Sequence, residues 1–184
     1  IRASFFLGLA GAFLFYSGNL LWVESRWRAE RGGARVEQRR SSRWMAAGTV
    51  GVSLGCVAAL SLTVAAEKWL WAWQGEVPAP WREHVYHAVF LGSVAWAFLR
   101  GASRGAVELL WLAAAAALAV PLTGIAGWLL PSSGLWLRAD ALGVDAFALL
   151  GAAAFAWMAL RTARRVREGP ADSVWAARAS RPAG

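Results

Sequence analysis

Long apolar blocks constrain this chain more than any other feature. Five of them fall at about residues 3–23, 44–68, 82–99, 106–130 and 141–162, each near the roughly 17–25 residues that a helix needs to cross a hydrocarbon core of about 30 Å. In lipid only a helix or a closed barrel satisfies its own backbone. The blocks are continuous instead of alternating, which excludes barrel strands. The sequence therefore predicts an all-α fold: a polytopic membrane helix bundle, 1–184, with five transmembrane helices, a basic loop over 24–43 and a tail over 163–184. Composition agrees, because a soluble domain that is 58% hydrophobic has too much apolar surface to hide.

The first block starts almost at Ile1. It is too long for a signal peptide, and no small-residue cleavage site precedes a mature domain. A start without methionine leads to the expectation that the chain is a fragment, with sequence missing upstream.

The net charge of +8 is carried mainly by arginine. In the five-span arrangement Arg26, Arg28, Arg31, Arg35, Arg39, Arg40 and Arg43 share one side with Arg100 and Arg104 and with Arg161, Arg164, Arg165, Arg167, Arg178 and Arg181. Arg2, Lys68, Arg82 and Arg138 fall on the other. The positive-inside rule makes the arginine-rich side cytoplasmic, so Ile1 is expected in the periplasm and Gly184 in the cytoplasm of a bacterial inner membrane. These charges serve as topology determinants that touch the anionic headgroups of the lipid bilayer, and no nucleic acid is expected as a partner. The 13 tryptophans fit the same layout. Trp22, Trp27 and Trp44 lie at one set of block ends and Trp69, Trp71, Trp73, Trp81, Trp128 and Trp136 at the other, as interfacial belts require.

Polar residues inside the blocks are the candidates for function. Asn19 needs a hydrogen-bond partner in hydrocarbon, most simply another helix. Gly51 and Gly55 form a GxxxG spacing suited to close helix packing. Glu108 stands near Arg100 and Arg104, which it would neutralise, and Pro121 should kink its helix. Asp145 lies one turn inside its block, a functional candidate by default in a membrane, or the partner of Arg138 in a salt bridge. Cys56 stands alone, so neither a disulfide framework nor a CxxC motif exists.

The two histidines, His84 and His87, occur together in "WREHVYHAVFLG". Three residues amount to about 300° of rotation and about 4.5 Å of rise, which leaves both on one helix face. They can act on one cavity but cannot be the two opposed axial ligands of one haem. Imidazole is a common ligand of haem iron and of metals, and Lys68, Arg82 or Arg138 would be placed to receive haem propionates. A structural role, with His84 solvated and His87 bonded to a neighbouring helix, explains the same residues. A quinone site or a proton step shared with Asp145 is a third reading. No HExxH is present.

The segments "FFLGLAGAFLFYSGNLLWVESR", "RWMAAGTVGVSLGCVAAL", "HAVFLGSVAWAFLRGASRGAVELLWLAAAAALAVPLTG" and "DSVWAAR" resemble the C-terminal membrane portion of PepSY-associated transmembrane proteins. These are iron-regulated bacterial inner-membrane proteins that include ferrisiderophore reductases. The resemblance implies an upstream helix and a periplasmic PepSY domain before Ile1. It also implies haem b held by His84, His87 or both, with opposing ligands outside this chain. The implied activity is electron transfer from a cytoplasmic or quinol electron donor to periplasmic ferric siderophore. Asp145, Asn19 and Arg82 are expected to support the site. The contrasting expectation is a non-redox membrane anchor or transporter partner that assists iron uptake.

Overall fold

The computed structural model describes residues 40–74, 79–129 and 141–168, all helical except Gly101. Four helices follow one another: α1 (Arg40–Gln74), α2 (Ala79–Arg100), α3 (Ala102–Leu129) and α4 (Ala141–Glu168). α1 packs on both α2 and α3, and α4 packs on α3. Contacts along the helices give the directions. Trp44 meets Phe98 at one end of the α1–α2 pair and Glu67 meets Arg82 at the other, so these two run antiparallel. Ala46 and Ala47 cluster with Ala102, and Lys68 reaches Val120, so α1 and α3 run parallel. α3 and α4 are antiparallel, with Gly124 against Asp145.

Among the described residues three helices are long and apolar enough, by length and composition, to cross a membrane: Arg43–Leu70, Ala102–Ala126 and Leu142–Glu168. This suggests a membrane protein and corrects the expected five spans. The block at 82–99 is helical within α2 but does not reach the same hydropathy, because Arg82, Glu83, His84 and His87 occupy its early turns and Arg100 closes it. The block at 3–23, with Asn19, lies outside the described residues. Two boundaries also move. α1 continues to Gln74, and Pro80, expected to break the helix, lies instead in the first turn of α2; α4 runs through Glu168, into the segment expected to be tail.

The interior is built largely of alanine. Ala58, Ala59, Ala97, Ala113 and Ala159 have no exposed surface, and Leu109 is the largest fully buried side chain. Small side chains bring helix backbones close enough for dispersion to hold them where no hydrophobic drive exists between helices. Gly51 and Gly55 of α1 meet Ala97 and Ser93 of α2, and Gly105 of α3 meets the same Ala97. The GxxxG expectation thus gains its partner, a small-residue pair at the matching four-residue spacing on α2. Thr49, Thr63 and Ser93 bond back to carbonyls of their own helices, so backbone proximity, not these hydroxyls, joins the seam.

Gly101 makes the turn between α2 and α3. Its φ of 78° is open to glycine and strained for other residues, so one residue ends α2 and starts α3. The α3 helix is central. Half of its apolar stretch is buried, against 11% for that of α4, which leaves α4 with a broad apolar surface of Phe147, Leu150, Trp157 and Leu160.

Candidate functional site

Helix directions sort the charges by end. Arg43, Arg100, Arg104, Arg161, Arg164, Arg165 and Arg167 lie at the end where α1 and α3 begin and α2 and α4 finish. Glu67, Lys68, Arg82, Glu83 and Asp145 lie at the opposite end. At the arginine end Glu108 accepts from the Trp96 indole at 2.6 Å and faces Arg100 at 3.4 Å. That is the neutralising role expected of it.

His84 and His87 stand at the opposite end, in the early turns of α2, and both are exposed. Each ring places Nδ1 on the carbonyl one turn earlier, His84 on Pro80 O at 2.5 Å and His87 on Glu83 O at 2.6 Å. A carbonyl only accepts, so each Nδ1 carries the hydrogen, and the lone pair of each neutral ring lies on Nε2. A backbone partner on one nitrogen is what fixes the other as a metal-binding atom. Tyr86 turns the other way, stacking on Phe90 and lying 3.7 Å from the Cys56 thiol of α1. The helix therefore presents the imidazoles and Leu91 outward while Tyr86 faces α1. Each histidine thus offers one nitrogen, Nε2, as a ligand atom. Neither finds an opposing imidazole in this chain, which has no third histidine. Among the described residues no group of three or more His, Cys, Asp and Glu is arranged to hold a metal ion.

The side chains expected to support that site are engaged elsewhere. Arg82 pairs with Glu67 at 2.8 Å. Lys68 pairs with Asp145 at 3.1 Å, so Asp145 is tied to α1 and not to the histidines. Arg138, the partner expected for Asp145, lies outside the described residues.

The Lys68–Asp145 contact is the site that the sequence reading did not assemble. Both side chains are largely buried, at 11% and 19% exposure. The Lys68 ammonium also approaches the Val120 carbonyl at 3.5 Å, which accepts the Thr123 hydroxyl at 2.6 Å. Pro121 follows Val120 directly within α3. Having no N–H, it leaves the Ala117 carbonyl without its helical donor. A Cβ on Gly124 would fall 2.5 Å from Asp145 Oδ2, so the glycine is what lets the carboxylate lie against the α3 backbone. One signal could have found the pair: Lys68 is the single lysine among nineteen lysines and arginines, and it sits near the end of one apolar block as Asp145 sits near the start of another.

In comparisons with known proteins, no family model, no curated protein and no solved structure matches this chain.

Proposed function

We propose that the chain is the membrane portion of a bacterial inner-membrane electron-transfer protein of the PepSY-associated type, acting on periplasmic ferric siderophore. The arginine end of the described helices would lie in the cytoplasm. The observation that carries this reading is the pair of imidazoles held by their own backbone through Nδ1, with Nε2 turned outward on one helix face. Haem b, when bound, supplies a one-electron carrier. His84 or His87 would hold it through Nε2, with the ring angle fixed by the Pro80 and Glu83 carbonyls. The exposed Glu67–Arg82 pair is weak enough to open toward a propionate.

An optical spectrum of the protein purified from its membrane tests the proposal. A reduced b-type band that disappears in the His84→Ala, His87→Ala double variant supports it, and a protein without haem overturns it. A reporter fused after Gly184 should be active only in the cytoplasm, and periplasmic activity there would reverse the orientation. The second reading, a non-redox anchor or transporter partner, draws on the exposure of both rings and on their satisfaction by their own helix. The same spectrum decides between the two.

A further inference from the structure

Four arginines, Arg161, Arg164, Arg165 and Arg167, occupy the last turns of α4, and all four are exposed. Among the described residues the ion pairs join Lys68 to Asp145, Arg82 to Glu67 and Arg100 to Glu108, and none of these takes up an arginine of α4. Glu168, the one acid in those turns, ends the helix. This end of α4 therefore carries a concentrated positive charge that is complementary to an anion.

The same helix face continues as an apolar stripe. Leu150, Trp157, Arg161 and Arg164 fall within about 60° of one another around the axis, and each is exposed. Leu150 stands about 16 Å along the axis from Arg161, close to the roughly 15 Å of hydrocarbon in one leaflet. Phe147 extends the apolar part and is 78% exposed. Ala153 and Ala154, also exposed, keep the surface low between Leu150 and Trp157, which leaves room for an alkyl chain. At the junction of the two parts the Arg161 guanidinium lies over the Trp157 ring at 4.2 Å. Stacking of this kind fixes the guanidinium plane and leaves its N–H edge to donate. The neighbouring helix adds one more cation. Gly124 of α3 faces Asp145 of the antiparallel α4, so the same number of residues counted back along α3 and forward along α4 brings the exposed Arg104 level with Arg165.

A free phosphate would use only the cationic half of this face. A second copy inserted in the same direction would set its own four arginines against these four. An anion attached to an alkyl chain satisfies both halves. We propose that the exposed face of α4 binds one anionic phospholipid, with its phosphate accepting from Arg161, Arg164 and Arg165 and an acyl chain lying along Trp157, Ala153, Ala154 and Leu150. Basic clusters beside membrane helices recognise anionic headgroups in this way, and bidentate guanidinium contacts add geometry to charge. The site lies at the opposite end of the bundle from the histidines and does not depend on haem.

Native mass spectrometry of the purified protein, released from detergent micelles holding equal amounts of phosphatidylglycerol and phosphatidylcholine with distinguishable chain masses, tests the proposal. The expected result is one phosphatidylglycerol per chain, retained at least about tenfold over phosphatidylcholine, the worth of one charge-assisted hydrogen bond. The Arg161→Gln, Arg164→Gln, Arg165→Gln variant should lose that preference. Arg82→Gln, which removes one charge at the other end, should keep it. Trp157→Leu keeps every charge and should lower retention by freeing the Arg161 fork. Equal retention of the two lipids by the wild-type protein overturns the proposal, whatever the variants do, and so does a triple variant with the wild-type preference. Displacement of the lipid by an equal concentration of glycerol 3-phosphate would reveal a site for free phosphate and would overturn it as well.

Discussion

A side chain at Gly55 must force α1 and α2 apart. Its Cβ would lie 2.9 Å from Ser93 Cβ and 3.4 Å from Phe90 O, and a Cβ on Gly51 would lie 2.9 Å from Ala97 Cβ. Carbon atoms rest at about 3.5–4.0 Å, so the helices must separate by about 0.5–1 Å. Overpacking of this kind costs about 1–3 kcal/mol. Alanine recovers about 1 kcal/mol through its better helix propensity, leaving Gly55→Ala mildly destabilising and Gly55→Leu clearly so. Gly92, on α2, supplies the control: a Cβ there meets nothing within 4 Å, so Gly92→Ala should stabilise by about 0.5–1 kcal/mol.

The chain carries its own reporter, because Cys56 is its one cysteine. It is adjacent to Gly55 and lies 3.7 Å from the Tyr86 hydroxyl across the seam. Its maleimide reaction in micelles should follow the population of locally opened seam, about tenfold in rate for each 1.4 kcal/mol. Gly55→Leu should therefore react at least about tenfold faster than wild type, with a lower thermal midpoint. If Gly55→Leu labels and melts like wild type, or if Gly92→Ala does as much damage, the close-packed seam is refuted.

Asp145→Leu alone should strand the Lys68 charge and cost about 3 kcal/mol, the lower end of the range for broken buried pairs because both side chains keep some solvent contact; the Lys68→Met, Asp145→Leu double variant should return close to wild type in the same denaturation assay. Gly124→Ala should push the carboxylate off α3, disturb its pair with Lys68 and lower the thermal midpoint, with a wild-type midpoint counting against the cradle. Arg82→Gln, which breaks a pair exposed at 54% and 38%, should shift stability by less than about 1 kcal/mol, and a larger shift would mean that the pair is not solvent-screened.

The apolar blocks around α1, α3 and α4 were legible because the need to satisfy the backbone in lipid acts on each block alone. The block at 82–99 was harder to read, since its apolar half resembles a span while its charged first turns dilute the whole. Glu108 found its arginine because the two are close in sequence, across the short α2–α3 turn. Asp145 did not, because its partner is 77 positions away, and the nearer Arg138 was the only partner that sequence distance offered. For the histidines, spacing placed both on one helix face but could not say which ring nitrogen was engaged; that followed from the position of the Pro80 and Glu83 carbonyls.

The sequence by itself determined that this chain forms apolar helices with arginines collected at one end, since hydropathy and charge placement are properties of each segment. The tertiary structure decided which small residues face each other across the α1–α2 seam and that Lys68 meets Asp145 beside Val120 of α3. Such pairings depend on the rotation and depth of one helix against another. These are set by where backbones can approach most closely, at Gly51, Gly55 and Gly124, and that geometry arises only when the helices pack.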